Sequence, residues 1–132
     1  MIVLDASAAL ELLLNTEGGA KVRERIADPS ESLHSPHLLA VEVTQVLRRY
    51  VAGSAISAEI AEAALDDLAG LDIAHYSHEP LLARVWQLRD NVTAYDAVYL
   101  ALAEVLEAPL LTFDRRLATS PGHDAIVELV TA

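Results

Sequence analysis

Residues 1–9 read MIVLDASAA: a short apolar run, Ile2-Val3-Leu4, then Asp5, then helix formers that continue to about Leu14. A strand this short and uniformly apolar is one buried on both faces, and the single polar residue before the helix leaves room only for a tight turn. Strand, turn and helix in that order are the opening of an α/β fold.

The same alternation runs outward along the chain. Gly18-Gly19 is read as a break before a second helix over Ala20 to Ala27, and Asp28-Pro29-Ser30 as its end. A brief strand follows at Ser32 to Ser35, and Pro36 begins a long helix to about Tyr50. Ser57-Ala58-Glu59-Ile60 has the form of an N-capped helix start, with Gly70 closing that helix. Strands at Asp72 to Tyr76, Pro109 to Phe113 and Ile126 to Val130 alternate with helices at Pro80 to Arg89 and Tyr95 to Leu106. Short Ile, Val and Leu strands separated by helices predict a parallel sheet covered on both faces.

A chain of 132 residues, 53% of them hydrophobic, fits one domain over 1–132 with a substantial core. The absence of cysteine excludes a disulfide frame and a thiolate zinc site, and fits a reducing cytoplasm. MIVLD carries no basic leader, and acids or arginines interrupt every apolar stretch before membrane-spanning length. The expectation is a soluble, untargeted protein. The formal charge of −11 runs against a polyanionic partner, although a cation-binding carboxylate cluster would account for part of it. The basic residues are all arginine except Lys21, with pairs at Arg48-Arg49 and Arg115-Arg116.

In an open parallel sheet the active crevice lies beyond the carboxyl ends of the strands. Asp5 and Asp114 both follow predicted strands there, and each is also placed to cap the next helix. Asp96, in Thr93-Ala94-Tyr95-Asp96, completes a capping box for the apolar helix after it. Glu42 has no capping role: it lies mid-helix with Leu38, Leu39 and Val46 on its face, so it points to the apolar side. A carboxylate there needs an arginine partner or a metal. Four acids at one end of a sheet would repel, and hard oxygen donors without cysteine favour Mg2+ or Mn2+ over zinc. The five histidines show no comparable ligand spacing.

MIVLDASAA, the inward Glu42, TAYDAVYLALAE (93–104) and TFDRRL (112–117) together resemble PIN-domain ribonucleases, most closely the VapC-type toxins of bacterial toxin–antitoxin pairs. The resemblance spans nearly the whole chain and implies a PIN-like three-layer α/β/α sandwich about a mainly parallel sheet of four or five strands. It implies that Asp5, Glu42, Asp96 and Asp114 are the catalytic, metal-holding cluster, with Ser7 and Thr112 as hydroxyls that orient a ligand or water. The implied reaction is magnesium-dependent hydrolysis of RNA by an activated water, leaving 5′-phosphate and 3′-hydroxyl ends. Arg115 and Arg116 are candidate phosphate contacts. The resemblance further implies a cognate VapB-like antitoxin in the acidic groove and a homodimer through the helices between Pro36 and Gly70. The alternative is a catalytically silent PIN-fold module that only binds a partner.

Other strand-end aspartate folds fit less well. A phosphoacceptor receiver domain wants a late lysine, and the only one is Lys21. A haloacid-dehalogenase-type phosphatase wants an aspartate where Ser7 stands, and a dinucleotide-binding domain wants a glycine-rich first turn.

Overall fold

Ile2, Val3 and Leu4 form β1 (Ile2–Leu4), and all three are fully buried, as a strand covered on both faces requires. The computed structural model describes residues 1–131; the last residue of the expected 1–132 domain lies outside them. After β1 come α1 (Ala6–Leu13), α2 (Glu17–Arg25), β2 (Leu33–Pro36), α3 (Leu38–Ala52), α4 (Ala58–Gly70) and β3 (Ile73–Tyr76). Then follow α5 (Leu82–Gln87), α6 (Ala94–Leu106), β4 (Leu110–Thr112), α7 (Arg115–Ala118) and β5 (Val127–Leu129).

The five strands make one sheet in the order β3-β2-β1-β4-β5, and every pairing is parallel. β1 is central, with Val3 opposite both His34 of β2 and Leu110 of β4. The chain leaves β1 towards β2 and β3, then returns to add β4 on the other side. That reversal opens a crevice beyond the carboxyl ends of β1 and β4, the place where open α/β sheets bind ligands.

Alternating side chains send β1 and β4 to two cores. Val3 and Leu110 face Leu39, Val43 and Leu47 of α3 and the buried run Ala97–Ala103 of α6. Ile2, Leu4 and Leu111 face Ala8 and Leu12 of α1 and Val22 of α2. Each fully buried leucine contributes roughly 1.5–3 kcal/mol. Among the described residues no helix is long and apolar enough to cross a membrane.

Three expectations shift. Gly18 and Gly19 do not break a helix; they lie in the first turn of α2, whose N-cap Thr16 accepts the Gly19 N–H at 2.9 Å. The break falls at Asn15, in the left-handed region at φ 55°. Gly19 is there for closeness, since a Cβ would stand 2.0 Å from the Glu11 carbonyl oxygen of α1. Pro36 ends β2 instead of starting α3, and the Leu38 N–H at the head of α3 donates to His78 Nε2 at 2.9 Å. The helix read over Pro80 to Arg89 divides into a 3-10 turn, Glu79–Leu81, and α5.

The two kinds of helical glycine should respond oppositely to alanine. Gly19→Ala, forced against α1 backbone, should cost about 2–3 kcal/mol in urea unfolding. Gly70→Ala, with nothing within 4 Å of its Cβ, should gain roughly 0.5–1 kcal/mol. Equal midpoints for the two variants would refute the close-packing explanation.

Candidate active site

Asp5 leaves β1 and turns the chain into α1. Its Oδ1 accepts the Ala8 N–H at 2.9 Å and the Ser7 hydroxyl at 2.6 Å, while Oδ2 accepts the Thr112 hydroxyl. The residue is only 7% exposed. Capping and membership of an acidic site are therefore one role here, because the cap fixes the carboxylate at the crevice.

Ser7 and Thr112 do more than their neighbourhood implied. Ser7 Oγ accepts the Phe113 N–H at 2.9 Å and Thr112 Oγ1 accepts the Asp114 N–H at 3.0 Å. Each hydroxyl has one proton, and both protons go to Asp5. Their mutual 3.4 Å approach is thus contact only. The pair clamps the β1–α1 turn to the β4–α7 turn, and its protons hold Asp5.

Glu42 sits in the second turn of α3, half-buried, and its Oε1 accepts the Tyr99 hydroxyl at 2.6 Å. Among the described residues no arginine pairs with it. Burial pushes its carboxyl above the ordinary range; the Tyr99 bond works against this, and the charges of Asp96 and Asp5 add to it. Tyr99 itself is 2% exposed. Burial, then the bond to Glu42 and its charge, push the phenol far above its usual value, so it stays a proton donor. Sequence reasoning missed Tyr99, yet its spacing three residues after Asp96 puts both on one face of α6.

Asp96 occupies the first turn of α6, where the Thr93 hydroxyl accepts the Asp96 N–H at 3.2 Å. The reciprocal bond of a capping box, from the Thr93 N–H to the Asp96 carboxylate, is not formed among the described residues. Burial raises the Asp96 pKa and the Asp114 charge raises it further, while a bond from the Thr93 side chain and then the Arg116 charge oppose. Asp114 caps α7 by accepting the Arg116 N–H at 2.9 Å, and its Oδ2 lies 3.6 Å from Arg116 Nη2. With the arginine side chain 88% exposed, that pair adds little. Arg115 is exposed beside it.

Asp5 is raised by burial against its three donors, and Asp96 raises it again. The acids thus feel one another across the crevice, and among the described residues no buried cation neutralises them. That donor set, hard oxygens under mutual repulsion, fits a divalent ion such as magnesium. Among the described residues no three His, Asp or Glu side chains stand arranged to hold one ion together. Beside Asp96 opens a cleft of about 400 Å³, lined also by Arg89, Asn91, Thr93 and Arg116. Arg89 was not singled out by the sequence, in which it is one of several scattered arginines.

The PIN domain family model matches residues 2–121. Ribonuclease VapC1 of Mycobacterium tuberculosis is 46% identical over 129 residues, covering 97% of this chain and 96% of that protein. Two solved structures share the fold. Mycobacterium tuberculosis VapC20, described as a sarcin-ricin loop cleaving toxin, has a TM-score of 0.68 at 14% identity, covering 89% of this chain and 93% of that one. VapBC2 from Rickettsia felis, bound to a DNA fragment from its promoter, has a TM-score of 0.68 at 13% identity, covering 99% and 100%.

The raised carboxyls bind protons more tightly folded than unfolded. Without divalent ions, stability should therefore be full below the unfolded carboxylate range and fall as pH rises through it towards the raised values. Glu42→Gln keeps an acceptor for Tyr99 and removes one charge. In chelator at neutral pH its Tm should lie about 2–4 °C above that of the parent chain, with a flatter pH dependence by calorimetry. A lower Tm would show that Glu42 is not under electrostatic strain.

Proposed function

Because this chain belongs to the PIN-domain family, we propose that it is a metal-dependent endoribonuclease, the toxin of a VapBC-type pair, working as one nuclease domain over 1–132 with Mg2+ or Mn2+. What supports this reading is that the four acids, each carried by a different element, act on one another: Asp96 on Asp5, Asp5 and Asp96 on Glu42, and Asp114 on Asp96.

When bound, the ion would supply Lewis acidity to phosphate oxygens and to a water molecule. The residues divide the remaining work. Asp5 has three of its roughly four acceptor positions filled by Ala8, Ser7 and Thr112, leaving one on Oδ2 to hold the ion in a fixed direction. Asp96 and Asp114 would hold it directly or through water. Glu42 is the member suited to take the proton: its pKa lies above the ordinary range, and Tyr99 orients it through one oxygen. As water attacks phosphorus in line, its proton passes to Glu42, the bond to the 3′ oxygen breaks, and that oxygen takes a proton from solvent water. The products are a 5′-phosphate and a 3′-hydroxyl.

Partner and setting belong to the same reading. A VapB-like antitoxin would cover the acidic crevice with a basic side chain, to which a chain of formal charge −11 is complementary. A homodimer would use α3 and α4, where Val41 and Ile60 are 66% and 51% exposed. The chain without cysteine fits the cytoplasm.

Incubation with RNA and Mg2+ should give cleavage that excess chelator abolishes. Asp5→Asn and Asp96→Asn should remain folded and lose activity by at least about a hundredfold. Full cleavage by either variant, or by the parent chain in chelator, would sink the mechanism. Tyr99→Phe removes a bond that favours ionised Glu42, so the acidic limb of its pH–rate profile should move to higher pH. An unmoved limb would exclude Glu42 as the base.

A further inference from the structure

Arg89 differs from the other arginines near the crevice. Arg84 is paired with Glu104 and Asp124, and Arg116 leans on Asp114. Arg89 has no carboxylate partner among the described residues. Instead its Cζ stands 4.4 Å from the centre of the Trp86 ring, and its Nη1 donates to the Trp86 carbonyl at 3.0 Å. Trp86 is 67% exposed, so the indole buries little for the core and serves mainly as a plate beneath the guanidinium. One of five guanidinium N–H donors is used; the rest remain available on a side chain already restrained.

The cleft beside Asp96 collects Arg89 and Arg116 together with the neutral hydrogen-bonding groups of Thr93 and Asn91. Its Asn91 wall packs on Gly122, where φ is 91° and a Cβ would stand 2.5 Å from the Asn91 amide nitrogen. In a chain of formal charge −11, this cleft brings two arginines together against the single carboxylate of its lining, Asp96. A phosphodiester is the ligand whose geometry and charge suit such a pair. We propose that this cleft is a phosphate-binding subsite for the RNA strand, in which Arg89, held by Trp86, grips a backbone phosphate next to the one cut at the acidic cluster. The inference rests on the nuclease reading.

The test uses the full chain and a single-stranded RNA that it cleaves. Arg89→Gln should raise KM about tenfold and leave kcat within about twofold, the pattern of a lost charge-assisted contact away from the reacting atoms. Trp86→Ala, which frees Arg89, should raise KM by a smaller factor. In an Asp5→Asn background that prevents cleavage, Arg89→Gln should lower the slope of log affinity against log salt by about one. An unchanged KM and salt slope, with cleavage by the parent chain intact, would overturn the subsite and leave the nuclease reading standing. So would a loss confined to kcat, or one confined to protein-partner binding. Failure of the parent chain to bind or cleave any RNA would overturn both.

Discussion

The buried carboxylate of Asp5, held by two hydroxyls from opposite ends of the sequence, is the constraint on which the rest of the site depends. A 7% exposed carboxylate is tolerable only because Ala8, Ser7 and Thr112 all donate to it. Those same hydroxyls accept the N–H groups of Phe113 and Asp114, so the turn after β4 cannot drift from the turn after β1. Asp114 is thereby fixed beside Asp96, and Asp96 beside Glu42 through the α6 face that also carries Tyr99.

This arrangement answers the apparent conflict of a strongly acidic chain with a polyanionic substrate. Charge is distributed by place more than by total. The crevice concentrates acids that only a cation can reconcile, while its flank carries the arginines. The electrostatic strain of the bare carboxylates is the counterpart of their affinity for a hard ion.

Much of this was legible beforehand. The two strands that flank the crevice, β1 and β4, came from short Ile, Val and Leu runs, and Glu42 was conspicuous because no capping role excused it. Asp5 and Asp114 were ambiguous only under the assumption that a cap is not a site; in the structure the cap positions the site. Gly18 and Gly19 were misread because local propensity cannot anticipate the backbone of Glu11 pressing on Gly19. Tyr99 and Arg89 escaped for a related reason: their roles come from a partner on α3 and from a cleft wall, which the spacing of Tyr99 to Asp96 hints at and nothing in the sequence around Arg89 does. Ser7 and Thr112 were found, but their donors and acceptors required the turns to be seen together.

The clamp also has a consequence for when the molecule becomes active. Thr112 lies 107 residues from Asp5, and α3 takes its capping acceptor from a histidine 40 residues on. A ribosome-bound chain therefore carries Asp5 and Glu42 long before the groups that aim them exist. Such long-range closures are late events in folding. The crevice can be completed only after α6 and β4, which carry Tyr99 and Thr112, have emerged.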